Sequence, residues 1–176
     1  SLSKSEKKIY NTDIVFSGHY ENDGREKIIE KLVLDGFKFN LFGPGWNKIV
    51  NNNSILKFLY PVKQLKPDDY NKSICGAKIA ICMYSNLNMD VYTRRCFEIP
   101  ATRTLMIAKR TEAIKSFFKE DHEAVYYDTY KEMKQKLKFY LQNNRERKKI
   151  AENGYKRATK DKYDVIGRAE KIIEHY

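Results

Sequence analysis

Two rhythms of apolar positions alternate along this chain: short β-branched and aromatic runs, and longer stretches in which apolar residues return at helical spacing. The first run, Asp13-Ile14-Val15-Phe16, is halted by Ser17-Gly18-His19-Tyr20. From Arg25 to Leu34, Ile28, Ile29, Leu32 and Val33 then share one helical face. Strand, glycine turn and helix are predicted in that order. Gly36 closes the helix, Phe37-Lys38-Phe39-Asn40-Leu41-Phe42 alternates as a second strand, and Gly43-Pro44-Gly45-Trp46 breaks it in a tight loop. Asn51 to Tyr60 reads as a short asparagine-capped helix leading to an extended piece that Pro61 stops. Pro67-Asp68-Asp69-Tyr70 opens another short helix ending near Gly76.

The run Ala77-Lys78-Ile79-Ala80-Ile81-Cys82-Met83-Tyr84 reads as a buried strand, and the stretch from Asn88 to Ala101 follows it directly. Proline fits a helix's first turn but kinks its interior, so Pro100 places the start of the next helix near Phe97. Thr104-Leu105-Met106-Ile107-Ala108 and Glu123-Ala124-Val125-Tyr126-Tyr127 are further strands, separated by a helix over Glu112 to Phe118. From Thr129 the pattern is helical to the end, with breaks expected at Asn153-Gly154 and from Asp161 to Asp164. Strands spaced by helices imply α/β architecture, a Rossmann-like doubly wound parallel sheet with a helical C-terminus, because a parallel pair needs a crossover and the crossover is usually a helix.

Length and composition narrow this picture. At 176 residues the chain is one domain, residues 12–176, preceded by a lysine-rich polar segment, residues 1–11, expected to be a linker or frayed start. A 41% hydrophobic fraction excludes wholesale disorder. No apolar run approaches a membrane span and the N-terminus lacks an apolar signal region, so a soluble, cytoplasmic chain with no transmembrane segment is expected. Cys75, Cys82 and Cys96 are odd in number and lack metal-ligand spacing, which favours buried free thiols. The 34 Lys+Arg against 23 Asp+Glu leave +11, an attraction toward phosphates, anionic membranes or acidic partners. Much of it lies on the Lys-rich helices of the C-terminal third. There a solvated face is the commoner meaning, and a basic non-enzymatic module binding nucleic acid or another polyanion is the alternative.

Candidate chemistry gathers just past the strands. The Gly18–His19 turn lies where a doubly wound sheet offers backbone N–H groups to a phosphate, although it is not the G-x-G-x-x-G fingerprint. Arg25 opens the next helix, as a phosphate partner or as a solvated first-turn residue. Trp46 either stacks on a base or, more commonly for a lone tryptophan, packs in the core. Arg95 and Glu98 share a helix face beyond the third strand, where open α/β sheets bind ligands. A guanidinium there offers a donor fork to phosphate, and a carboxylate accepts from a ribose diol. Arg94, four before Glu98, points to a surface ion pair. His19, His122 and His175 show no zinc spacing, so no metal site is expected, and no nucleophile-elbow pattern marks a catalytic triad.

Taken in order, Asp13 to Tyr20, Leu41 to Trp46 and Thr93-Arg94-Arg95-Cys96-Phe97-Glu98-Ile99-Pro100-Ala101 resemble the C-terminal domain of group 1 glycosyltransferases of the spore-maturation type. Phe117-Phe118, Glu123 to Tyr127, Tyr140-Leu141, Arg147 to Gly154 and Arg168 match its closing pattern. The resemblance implies the donor-binding half of a GT-B enzyme, with the acceptor half absent from this chain. It implies a nucleotide-diphosphate sugar as donor substrate, no cofactor and no bound metal. Glu98 would bind the ribose, Arg95 and the backbone near Thr93 would face the diphosphate, and Gly18 with His19 would line the phosphate side; the catalytic residue is unassigned. Arg103 stands where the family has glycine, and is expected to alter donor fit or to demand another backbone conformation.

Overall fold

The computed structural model describes residues 2–173. Five strands, β1 (Thr12–Ser17), β2 (Phe39–Phe42), β3 (Ala77–Cys82), β4 (Leu105–Lys109) and β5 (Val125–Tyr127), form one sheet in the order β2-β1-β3-β4-β5, every pairing parallel. The central strands are buried on both faces, which is why they read as near-continuous apolar runs. The α/β doubly wound expectation holds. The chain reverses direction across the sheet between β1 and β3, so their carboxyl ends flank the switch-point crevice where such sheets take ligands.

One face carries Ile14, Phe16, Ile79 and Ile107. Against them lie α2 (Arg25–Leu34) through Ile29 and Leu32, α3 (Trp46–Asn51) through Trp46 and Val50, and α7 (Tyr130–Gln142) through Met133 and Leu137. The other face carries Val15, Ala80 and Met106, covered by α4 (Pro67–Cys75), α5 (Arg95–Ala101) and α6 (Glu112–Phe117) through Ile74, Phe97 and Ile114. The long α8 (Asn144–Lys160) serves both, with Ile150 and Ala151 on the first face and Ala158 on the second. A last helix, α9, runs Val165–Ile173; His175 lies outside the described residues.

Several boundaries depart from the sequence pattern, each for a local reason. Within residues 1–11, expected as a linker or frayed start, Lys4–Tyr10 is helix α1. Ser3 and Glu6 cap it reciprocally, Tyr10 is buried, and Glu6 reaches Lys72 of α4 at 3.1 Å. The helix expected over Asn51 to Tyr60 is absent: α3 starts earlier, straight after Gly45 at φ +83°. Asn53 instead closes a turn by accepting from the Ile55 and Leu56 amides at 2.9 and 3.1 Å, before a 3₁₀ turn over Lys57–Leu59. The helix expected from Phe97 starts at Arg95, because Thr93 and Arg94 carbonyls already accept from Cys96 and Phe97 at 3.0 Å. Pro100 lies inside it, one residue before its end at Ala101.

The break expected at Asn153-Gly154 does not occur. Gly154 lies inside α8, where a Cβ would fall 2.4 Å from the Glu123 carbonyl oxygen, so this glycine permits close helix-to-loop packing rather than stopping the helix. The break from Asp161 to Asp164 is present. Among the described residues, no helix is long and apolar enough to cross a membrane.

Candidate functional site

A cleft of about 420 Å³ opens at the carboxyl ends of β1 and β3, a volume in the range of small-molecule sites. Its floor is made by two glycine loops zipped together. The Gly18 amide donates to Phe42 O and the Tyr20 amide to Pro44 O, both at 2.9 Å, extending the β1–β2 pairing past the strands. The approach is close enough that a Cβ on Gly43, at φ +132°, would fall 2.1 Å from Gly18 O. Trp46 fastens the loop from below: fully buried, it donates from Nε1 to Gly18 O at 2.8 Å and meets Phe16 and Tyr20 edge-on. It packs and does not stack on a ligand.

The second wall is the start of α5. Arg95 lies beneath Gly18, with its guanidinium carbon 5.7 Å from the centre of the Phe16 ring and Nη2 donating to Met83 O at 3.1 Å. Its Nε is buried without a protein partner. A Cβ at Gly18 would approach Phe16 to 2.8 Å and Arg95 Nη1 to 3.2 Å, so glycine lets the turn rest directly on this pair. Behind the α5 start, Cys82 and Cys96 are buried with sulfurs 3.5 Å apart, and the Cys82 sulfur lies 3.6 Å from the Thr93 hydroxyl. Burial pushes the Cys82 thiol well up, which keeps it protonated.

Both oxygens of Glu98 are held. Oε2 accepts from the Tyr70 hydroxyl at 2.8 Å, and Oε1 lies 2.7 Å from Arg94 Nε. The two partners are not equivalent. Arg94 is 86% exposed and forms the expected surface pair, worth about 0–1 kcal/mol. Tyr70 is largely enclosed, and burial together with the Glu98 charge pushes its phenol far up, so it remains a donor at any ordinary pH. Tyr70 therefore orients Glu98, and Arg94 can let go of it cheaply.

On the opposite side the loop after β1 is wound around Arg25. Its side chain, 2% exposed, donates to both Asp23 oxygens at 2.8 Å and to the His19 carbonyl at 2.7 Å, and reaches Glu21 at 3.1 Å. The expectation of Arg25 as a phosphate partner or solvated first-turn residue is therefore corrected: every arm of the guanidinium is spent inside the loop, and it does not line the cleft. His19 does line it, 55% exposed, with Nε2 2.5 Å from Glu21 Oε1. Glu21 Oε2 in turn accepts from the Ser85 hydroxyl at 2.5 Å. Burial opposes ionisation of Glu21, but Ser85, Arg25 and His19 outweigh it and hold the carboxyl below its ordinary range.

Gly18, His19, Thr93, Arg95 and Glu98 thus converge on one cleft, while Arg25 supports it from behind. Tyr70, Glu21, Ser85 and Asp90 are additions that sequence reasoning missed. Only Glu21, two residues from His19, carried a local signal; Tyr70 meets Glu98 across a separation of 28 residues that no spacing rule spans. Arg103 lies in the left-handed region that favours glycine, at φ +58°. Its side chain lies 3.8 Å over Tyr155 and 3.1 Å from Glu152 on α8, away from the residues lining the cleft.

Residues 25–174 match the family described as glycosyl transferase-like. No curated protein sequence is significantly similar. Among solved structures, HepE of Anabaena in complex with UDP-glucose superposes with a TM-score of 0.77 at 12% identity, over 99% of this chain and 53% of its own. The C-terminal domain of the group 1 glycosyl transferase LpcC of Francisella tularensis superposes with a TM-score of 0.68 at 17% identity, over 92% and 91%. A glycosyltransferase of Rickettsia africae gives 0.69 at 15%, over 100% and 52%. The chain thus spans about half the length of the Anabaena and Rickettsia proteins. At these identities the likeness establishes the shared fold.

Proposed function

The chain belongs to the glycosyl transferase-like family, and on that footing we propose that its cleft binds the nucleoside diphosphate of a sugar donor. Glu98 takes the ribose diol, while Arg95, the Thr93 backbone and the Gly18–His19 turn take the diphosphate. The observation that carries this reading is the convergence, at the β1/β3 switch point, of a carboxylate oriented by Tyr70 and a guanidinium seated under a glycine turn. Arg95 supports it because its side chain lines the cleft with only Nη2 bonded to the protein, which leaves Nη1 donors for phosphate oxygens. Within that family, the order of the motifs supports kinship with the spore-maturation type.

In the full enzyme the reaction is transfer of the sugar to an acceptor, with the departing diphosphate stabilised by Arg95 and the His19 amide without help from a metal ion. The acceptor and the group that activates it belong to a second domain facing this cleft, an arrangement supported by the half-length coverage of the solved relatives. Calorimetric titration of this chain with the diphosphates of uridine, guanosine and adenosine tests the reading, starting with uridine. Saturable binding to one of them, weakened by Glu98→Ala, is expected; no heat with any of the three refutes it. The chain alone is expected to turn over donor negligibly, measured as release of free diphosphate.

A further inference from the structure

The positive charge of this chain is not spread evenly. Residues 130–160 carry eleven Lys and Arg against three Asp and Glu, a net +8 of the chain's +11. Some of these cations are spent inside the protein. Lys134 pairs with Asp35 at 2.5 Å, Lys136 with Glu132 at 3.2 Å and Arg157 with Asp161 at 3.2 Å, while buried Arg147 donates to Tyr140 O at 3.1 Å. Arg145, Lys148, Lys149, Lys156 and Lys160 of α8 are exposed and have no ion-pair partner among the described residues. At 3.6 residues per turn, Arg145, Lys149, Lys156 and Lys160 fall within about 60° of one another, with Lys148 on the adjoining row. Ile150, Ala151, Gly154 and Ala158 hold the buried side opposite. The result is a straight row of cations, about 22 Å long at 1.5 Å per residue. Glu152, the acid within its span, is matched by Arg103 at 3.1 Å, and Glu146 stands on its flank.

This helix passes under the amino ends of the strands. Gly154 abuts the Glu123 carbonyl just before β5, Asn153 donates to His122 O at 3.0 Å, and Tyr155 lies against Arg103, two residues before β4. The cleft opens at the opposite, carboxyl edge, so the cationic row is remote from it. At the corner where α7 turns into α8, Phe139 is 50% exposed, the one large apolar side chain that these two helices leave in solvent, and Lys138 beside it is exposed too. We propose that the outer face of α8 is a docking surface for an anionic phospholipid bilayer, with Phe139 settling at the level of the headgroups. A flat, evenly negative surface meets every cation of a straight row at once, and aromatic rings favour the boundary between lipid and water. Nucleic acid suits the face less. Four of its five cations are lysines, point charges without the planar fork that reads base edges, and a single exposed ring offers no platform for successive bases. Docking here leaves the cleft open to its own ligand.

The test is sedimentation of the chain with vesicles of equimolar phosphatidylcholine and phosphatidylglycerol, and with vesicles of phosphatidylcholine alone. Binding to the mixed vesicles only, weakening as salt is added, is expected. Lys148→Gln, Lys149→Gln, Lys156→Gln and Lys160→Gln combined should lower the partition coefficient by on the order of a hundredfold or more, at roughly fivefold per lysine. Glutamine keeps a strong helix former at each of these solvent-facing positions, so the Tm of this variant should stay near that of the wild type. Phe139→Ala should weaken binding while leaving its salt dependence in place. No binding of the wild type to mixed vesicles, or equal binding by the fourfold variant, would overturn the proposal. Release of the wild type from mixed vesicles by a duplex oligonucleotide of arbitrary sequence, at equal phosphate concentration, would overturn it too and give the face to nucleic acid.

Discussion

Gly43→Ala probes the junction on which the cleft stands. The new Cβ would lie 2.1 Å from Gly18 O and 3.2 Å from His19 N, all main-chain atoms that cannot swing aside as a side-chain tip can. Restoring an ordinary contact of 3.4 Å requires the two loops to part by about 1.3 Å, the gap between those distances. That parting breaks the Gly18 N–H to Phe42 O and Tyr20 N–H to Pro44 O bonds, at about 0.5–1.5 kcal/mol each. Alanine at φ +132° adds backbone strain of about 1–3 kcal/mol. The sum is a loss of about 2–6 kcal/mol, or roughly 2–4 °C of Tm per kcal/mol for a chain of this size. Urea unfolding followed through Trp46, the single tryptophan, reads the loss where it occurs, since its indole is bonded to Gly18 O. A variant within about 1 kcal/mol of wild type would show that the two loops are not in contact as described.

Tyr70→Phe removes the donor that orients Glu98 and should cost about 0.5–1.5 kcal/mol of stability with an affinity loss near tenfold for the nucleoside diphosphate; unchanged affinity by calorimetry would end the orienting role. Arg103→Gly relieves a positive φ but loses the Tyr155 and Glu152 contacts. Opposing contributions of about 1 kcal/mol leave its Tm nearly unchanged. Its ligand affinity should equal wild type, and a shift would bring Arg103 back into the site. The Arg110 fork holds the Glu132 carboxyl down at about 2, well below its ordinary 4.5. A depressed carboxylate stabilises above its unfolded pKa, so this contribution is complete above about pH 4.5 and lost as pH falls toward 2. Arg110→Met should flatten the acid limb of the stability curve in that window; an unaltered limb would place the acid sensitivity elsewhere.

What could be read in advance was what local chemistry decides. β3 and β4 stood out because strands covered on both faces must be apolar throughout. Arg95 and Glu98 stood out because helix spacing joins residues three apart. What escaped depended on distant partners. Arg25 looked solvated or ligand-facing because its captors, Glu21 and the His19 carbonyl, belong to a turn whose winding no periodicity reports. α1 looked frayed because its lysines are solvated, and only the burial of Tyr10 against α4 and Gly76 gives it a place. Gly154 looked like a stop because glycine usually punctuates; the Glu123 carbonyl that needs its missing side chain lies on another element.

Arg95 also bears on the rate at which the cleft can fill. An exposed arginine must shed ordered water and settle one of many rotamers before it can grip an anion. Here the fork is already bonded to Met83 O and laid against Phe16, with Nε out of solvent. Its freezing and partial dehydration were completed when the protein folded, so an arriving anion meets a charge that need not reorganise. Capture should then be limited by encounter rather than by rearrangement, and should slow as added salt screens the approach.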